Sequence, residues 1–191
     1  MPENTVSAAL DRFIQRQSTQ QPNLPLAIYD SQWPSECYCA TSNQQLKDGD
    51  KVTWRPTLQS ADTSLFERIA EALETPVHPD IISYYGRYWS DPLPARAPEG
   101  ELSLLLVWNE DDMERLRGNL IGHALQLRKQ KRPLTFFFAC TEPDGEYFLS
   151  IDNQTGEVLL EQPGRKPLRK LADSLADYLD TLEPLTISDM E

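Results

Sequence analysis

Four stretches of the chain carry apolar residues every three or four positions, which is the pattern of a helix with one buried face. They cover these ranges: Val6 to about Gln17, Leu65 to Leu73, Met113 to Leu127, and Leu168 to Leu182. Asn109 precedes the third stretch and has the side chain of a helix N-cap. We also expect a short helix after Pro79.

Runs of branched and aromatic residues predict strands before and after the third of these helices. The longest cover residues 102–108, 134–140, 147–151 and 157–160, and turn sequences join the last three into an antiparallel meander. Shorter strands are expected over 37–40 and 51–55, whereas the proline-rich segment 92–98 is expected to be a turn. Because strands adjacent in sequence are flanked by helices, the pattern predicts an α+β fold with a central, mostly antiparallel sheet.

The length of 191 residues is that of one domain with a core of its own. We expect a single domain over residues 1–184, a frayed C-terminal tail over 185–191, and a monomer. No run of about 18 apolar residues occurs, so the sequence predicts no insertion into a membrane. An odd set of three cysteines, with no signal peptide recognised, is typical of the reducing cytoplasm.

The negative charge of the chain is unevenly distributed. The formal net charge is −12, and residues 1–114, with 18 acidic and 8 basic side chains, account for −10 of it. Such a surface attracts basic loops at low salt and repels nucleic acid and anionic lipid. Basic residues are concentrated at 128–132 and 165–170, where a solvated helix end and a solvated loop are favoured over contact with anionic lipid.

Residues that usually carry catalysis are scarce. The chain has two histidines and lacks the HExxH, CxxC, GxSxG and phosphate-loop motifs. Cys37 and Cys39 are better explained as structural thiols than as zinc ligands. His123 is expected to be a hydrogen-bonded structural residue, and Gly118 and Gly122 are expected to allow close packing of their helix. We predict no cofactor, no metal and no enzymatic activity.

Acidic residues around the start of the third long helix are candidates for a binding surface. Three of them stand in the first helical turn, where they offset the positive end of the helix dipole, and this role explains them as well as binding does. Convergence with acids nearby in the sequence would form a patch that a helix cap does not need. The candidate patch residues are Asp80, Asp91, Glu101, Glu110, Asp111 and Asp112.

Aromatic residues before and at the same helix start are weaker candidates. Tyrosine and tryptophan are favoured anchors at interfaces, although burial in the core is the more common fate at this density. The candidates are Tyr85, Tyr88, Trp89 and Trp108.

Several motifs of the chain are specific enough to indicate a family. The most specific are the run Leu104–Asp112 (LLLVWNEDD) and the helical segment Asn119–His123 (NLIGH). They are accompanied by Pro34-Ser35-x-Cys37, Trp54-x-Pro56, the aromatic segment 85–91 and the leucine-rich end. Together these motifs resemble the Syd family of SecY-interacting proteins, and the resemblance covers nearly the whole chain.

The resemblance implies a SUKH-like domain that is cytoplasmic and peripherally associated with the inner membrane. Such proteins bind basic cytoplasmic loops of the SecY channel through an acidic concave face, monitor or regulate SecYEG assembly, and have no known enzymatic activity. The loops of a channel on the cytoplasmic side are rich in lysine and arginine. Carried over by position, the acid-rich corner of the family falls on Glu110, Asp111 and Asp112.

Two other functions remain open on the sequence. An immunity-type inhibitor of a basic nuclease toxin would use the same acidic face, because both partners present positive surfaces. A carboxylate-based hydrolase is disfavoured, since no base, metal motif or nucleophile accompanies the acids.

Overall fold

The structure is a computed structural model that describes residues 4–41, 44–60, 62 and 64–188. Its helices are α1 (Val6–Gln20), α2 (Ser64–Leu73), α3 (Pro79–Tyr85), α4 (Glu110–Lys129) and α5 (Leu175–Thr181). Its strands are β1 (Leu26–Ile28), β2 (Lys51–Thr53), β3 (Thr57–Leu58), β4 (Tyr88–Trp89), β5 (Leu93–Ala97), β6 (Gly100–Leu104), β7 (Thr135–Thr141), β8 (Phe148–Asp152), β9 (Val158–Glu161), β10 (Arg169–Ala172) and β11 (Glu183–Pro184).

A seven-stranded antiparallel sheet forms the centre of the fold, in the order β10-β9-β8-β7-β6-β5-β11. The predicted meander is present, because β7 pairs with β8 and β8 pairs with β9. The prediction of an α+β fold with a central antiparallel sheet is therefore confirmed. Among the described residues, no helix is both long enough and apolar enough to cross a membrane.

Helices cover both faces of the sheet. On one face Phe138 of β7 packs against Tyr84 of α3 and Tyr178 of α5, with ring centroids 5.6 and 6.2 Å apart. On the opposite face His123 of α4 packs edge-on against Phe137, at 5.5 Å. This alternation of Phe137 and Phe138 follows from the two-residue repeat of a strand, which sends neighbouring side chains to opposite faces.

The proline-rich segment 92–98 contains strand β5, so the prediction of a turn is wrong there. Leu93, Ala95 and Ala97 are buried, and the residues between them are more exposed, which is the alternation of a strand with one face in the core. Pro94 has no N–H to give, but its carbonyl accepts a hydrogen bond from the N–H of Leu185 at 3.0 Å. The prolines obscured this pattern.

The predicted C-terminal helix is shorter than its leucine repeat indicates. Residues 169–172 form edge strand β10, and α5 begins only after Ser174, whose side chain accepts a hydrogen bond from the N–H of Asp177. A leucine at every third or fourth position continues from the strand into the helix, so periodicity alone cannot locate this boundary.

The first residues of the expected frayed tail are packed against the domain. The N–H of Ile187 donates to the side chain of Gln21 at 2.7 Å, and the amide of Gln21 donates back to the carbonyl of Ile187 at 2.9 Å. Ile187 is only 6% exposed. Residues 185–188 are therefore packed where the sequence indicated a frayed tail, and residues 189–191 lie outside the described part.

Two smaller predictions also require correction. Gly118 and Gly122 lie on the exposed side of α4, and a Cβ at either position would meet no atom within 4 Å, so they do not mediate close packing. The strand expected over 37–40 is reduced to a single bridge between Tyr38 and Trp54. His123 is the structural residue expected, since its Nε2 lies 3.2 Å from the hydroxyl of Thr135.

Candidate functional site

Helix α4 begins at a tightly bonded corner. The side chain of Asn109 accepts a hydrogen bond from the N–H of Asp112 at 2.8 Å, as an N-cap does. The carboxylate of Asp112 in turn accepts the N–H of Trp108 at 2.9 Å. Asp112 is therefore committed to the corner, whereas Glu110 and Asp111 are exposed to solvent.

The loop before Cys37 is bonded to this corner. The hydroxyl of Ser35 donates to the carbonyl of Trp108 at 2.6 Å, and the amide of Asn109 donates to the carbonyl of Pro34 at 2.9 Å. Two sequence motifs that lie about seventy residues apart thus form one rigid unit, and Glu36 is carried to the start of α4.

A hollow of about 430 Å³ lies between this loop and the first turn of α4. We call it the α4 hollow, and it is lined by Pro34, Ser35, Glu36, Trp89, Asn109, Glu110 and Asp111. The three acids are exposed and, within the described ranges, take part in no ion pair. Trp89 contributes an aromatic wall to this cavity.

Two further carboxylates adjoin the α4 hollow. The N–H of Ser90 donates to the carbonyl of Val107 at 2.8 Å, which brings Asp91 beside the corner that contains Asp112. Burial, together with the charge of Asp112, raises the pKa of Asp91 to about 6. Arg115 is paired with Asp112, with its Nη1 3.6 Å from Asp112 Oδ1 and its guanidinium over the ring of Trp33.

A second acidic cavity, of about 320 Å³, lies at the other end of β6. We call it the hairpin cleft; its acidic residues are Glu99, Glu101, Glu142, Asp144 and Glu146. Its apolar residues are Ala97, Leu102, Tyr147, Leu149, Leu160, Leu171 and Tyr178. Two arginines neutralise part of its charge: Arg96 lies 2.7 Å from Glu101, and Arg169 lies 3.8 Å from Glu99.

The structure brings four of the six candidate acids together. Asp91, Glu110, Asp111 and Asp112 converge at the α4 hollow. Glu101 belongs to the hairpin cleft, because β6 and the connection after it separate Glu101 from α4 along the length of the sheet. Asp80 lies in neither cavity: it stands in the first turn of α3, its neighbouring charge is His78, and burial raises its pKa.

Of the four aromatic candidates, only Trp89 lines the α4 hollow. Tyr85 is fully buried, and its hydroxyl donates to the carbonyl of Phe137. Tyr88 is 9% exposed and donates to Asp11 at 2.7 Å. Trp108 is 5% exposed and packs edge-on against Tyr38 and Trp54, each at 5.3 Å. Tyr85, Tyr88 and Trp108 are therefore buried residues of the core and do not form the surface of the hollow.

Glu36 and the acids of the 142–146 turn are not among the residues that the sequence indicated. Glu36 reaches the α4 hollow only because Ser35 and Pro34 are bonded to the corner. The turn reaches Glu101 because β6 and β7 pair with Leu102 opposite Thr141. Knowledge of that pairing would have revealed the cleft, but the sequence offers no direct signal for it.

The fold and these cavities define a class, namely an α+β domain with acidic surface hollows. Among the described residues, no cluster of histidine, cysteine and acidic side chains could hold a metal ion. The family described as "Syd protein (SUKH-2)" matches residues 3–184. A protein named "Protein Syd" from Pseudoalteromonas atlantica is 41% identical over 96% of this chain and 98% of its own length. Its namesakes from Alteromonas mediterranea and Hahella chejuensis are 42% and 40% identical, over 95% and 96% of the chain and 97% and 96% of their own lengths. The chain belongs to the Syd family.

Proposed function

We propose that this chain is a non-enzymatic binding protein that docks on basic cytoplasmic loops of the SecY channel and monitors or regulates SecYEG assembly. It would act in the cytoplasm, peripherally associated with the inner membrane through that partner. Membership of the Syd family supports the choice of partner, because the resemblance to this family is what implied binding to SecY loops. The α4 hollow is the observation within the structure that carries the proposal.

The α4 hollow suits a cationic loop for three reasons. Glu36, Glu110 and Asp111 are exposed and held on a bonded frame, so little ordering is required on binding. Their charges speed the encounter with a positive partner and orient it. Trp89 offers an aromatic surface to the apolar part of a lysine or arginine side chain.

The hairpin cleft supports the same function less strongly. The hairpin cleft is lined by more acidic residues than the α4 hollow, yet Arg96 and Arg169 already neutralise two of them. We therefore assign the first contact with the loop to the α4 hollow and regard the hairpin cleft as an additional acidic surface.

The test removes charge from the α4 hollow without disturbing the corner beneath it. The triple variant is Glu36→Gln, Glu110→Gln and Asp111→Asn. Asp112 stays unchanged because it accepts the N–H of Trp108. In a pull-down on purified SecYEG at low salt, we expect the variant to lose at least about tenfold in affinity, because charge complementarity orients such a complex. Wild-type binding is expected to weaken as salt rises.

A matched control removes three exposed acids elsewhere. Glu67, Glu71 and Glu74 lie on α2 and the residue after it, and none forms an ion pair in the described part of the chain. Their replacement by glutamine changes the net charge equally, yet it should alter affinity by less than about twofold, since these acids lie outside the α4 hollow. Equal losses in both triple variants, or salt-insensitive binding, would overturn the proposed docking site.

A further inference from the structure

A third cavity lies on the face of the sheet that α4 covers and takes no part in the acidic surface. It has a volume of about 330 Å³. Most of its wall is apolar, and the apolar residues are Leu105, Leu127, Phe137, Phe148 and Pro163. The cavity opens between the last turn of α4 and the loop that follows β9.

A buried ion pair joins these two segments. Nη2 of Arg132 lies 2.8 Å from the carboxylate of Glu161, which is fully buried. Gln130 and Arg132 line one side of the cavity, and Pro163 and Gly164 line the other. Residues of both basic clusters of the sequence, 128–132 and 165–170, therefore adjoin the lining of this cavity: Lys129 and Lys131 flank Gln130, and Arg165 follows Gly164.

Four cations of these clusters are available to a partner. Lys129, Lys131, Arg165 and Lys166 are exposed and form no ion pair within the described residues. We call these four residues the basic face. The other basic residues of the two clusters have partners: Arg128 donates to the carbonyl of Leu73, Arg169 approaches Glu99, and Lys170 lies 2.7 Å from Glu157.

An exposed leucine adjoins the basic face. Leu168 is 48% exposed, and its N–H donates to the carbonyl of Leu160 at 2.8 Å. Lys170 pairs with Leu159, so the alternation of the strand assigns Leu168 to the same side of the sheet as Leu159 and Glu161. This is the side on which the apolar cavity opens.

The geometry points to an interaction of the basic face with the surface of an anionic phospholipid bilayer. Cations beside apolar side chains are what a bilayer interface accommodates, with the charges at the headgroups and the leucine in the outer acyl region. A nucleic acid would use the cations but offers a polar backbone to the leucine and the cavity. Because the chain as a whole is strongly acidic, the contact is weak and salt-dependent.

The contact requires no protein partner, so vesicles alone test it. The full chain is mixed with vesicles of phosphatidylcholine alone, or of phosphatidylcholine with about one-third phosphatidylglycerol, and bound protein is measured by flotation at low and high salt. We expect binding to the phosphatidylglycerol vesicles at low salt only. A variant with glutamine at all four positions of the basic face should lose at least about tenfold, since each cation near such a surface contributes about fivefold.

A matched variant removes four cations elsewhere. Arg16, Lys47, Lys51 and Arg55 likewise form no ion pair in the described part, and their replacement by glutamine gives the same net charge. It should bind as the wild type does, and Leu168→Ser should weaken binding while leaving the charge unchanged. Circular dichroism of each variant verifies that it is folded.

Three results would overturn the inference. The first is an absence of binding to the phosphatidylglycerol vesicles, and the second is equal loss in both fourfold variants. The third is binding to a DNA duplex without binding to the vesicles. None of these results bears on docking to SecYEG, which is measured separately with the acidic triple variant.

Discussion

At the scale of single residues, the charge of Asp91 lowers the free energy of unfolding at neutral pH. Its carboxylate is partly buried beside Asp112, and burial and the neighbouring charge raise its pKa to about 6. An aspartate in the unfolded chain titrates near about 3.9, so the folded state holds the proton more tightly than the unfolded state does. Between these two values the free energy of unfolding therefore falls as the pH rises, and at neutral pH the ionised Asp91 destabilises the fold.

Replacement of this charge should stabilise the protein at neutral pH. We expect Asp91→Asn to raise the free energy of unfolding at about pH 7.5 by about 1 kcal/mol, a value discounted for partial solvent screening. The gain should shrink as the pH falls through about 6. Urea denaturation across this pH range measures it. Asp144→Asn, in an exposed turn, serves as the control, and a gain that does not vary with pH would contradict the argument.

At the scale of secondary-structure elements, a single buried carboxylate joins the outer strands to the end of α4. Glu161 of β9 accepts hydrogen bonds from Ser150 of β8, from Thr135 of β7 at 2.7 Å, and from Arg132 at 2.8 Å. The Thr135 hydroxyl donates to Glu161, so it accepts from His123, whose Nε2 must carry the proton. Burial lowers the pKa of His123, which favours this neutral form.

Removal of the arginine should destabilise the domain strongly. Arg132→Met leaves Glu161 buried without its cation, and we expect a loss of about 3 kcal/mol in the free energy of unfolding. The double variant Arg132→Met with Glu161→Leu should recover part of that loss. Urea denaturation of the single and double variants measures both effects.

The surface pair Arg96–Glu101 provides the control for that experiment. Both of its side chains are about half exposed, so Arg96→Met should cost less than about 1 kcal/mol. If Arg96→Met and Arg132→Met lowered the free energy of unfolding equally, burial of the Arg132–Glu161 pair would not account for the loss.

Helix α4 relates the two proposed surfaces. Its first turn contributes Glu110 and Asp111 to the α4 hollow, and its last turn contributes Lys129 to the basic face. A helix of 20 residues is about 30 Å long, so the two surfaces lie far apart on the molecule. The same distribution of charge complements the helix dipole, which is why the sequence alone did not distinguish binding from helix stabilisation.

At the scale of the whole molecule, the C-terminal residues hold the first helix against the sheet. Leu185 bonds to Pro94 of β5, and Ile187 bonds to Gln21, the residue that ends α1. Residues 185–188 are thus part of the packed domain and contribute to its stability.

Loss of the buried tail side chain should be measurable. We expect Ile187→Ser to lower the free energy of unfolding by about 2 kcal/mol, because a 6% exposed isoleucine loses its apolar contacts. Thermal unfolding provides the measurement. Thr186→Ala, at the exposed neighbouring position, should leave the midpoint nearly unchanged, and an equally small effect at Ile187 would contradict the packing of the tail.

Periodicity in the sequence determined the amphipathic helices, the β7–β9 meander and the fold class, because these features depend on residues close together along the chain. It also determined the acidic first turn of α4 and its Asn109 cap. It failed at β5, where prolines obscured a strand, and at β10, where leucines fit a helix and a strand equally well.

Only the tertiary structure decided which charged residues share a surface. Strand pairing separated Glu101 from Glu110 and brought Glu142 beside it, and two hydrogen bonds from distant loop residues carried Glu36 to the start of α4. The buried Arg132–Glu161 pair likewise joined the end of the first basic segment to strand β9, about thirty residues further along the chain. Such contacts depend on register and packing between distant segments, and no local pattern of side chains encodes them.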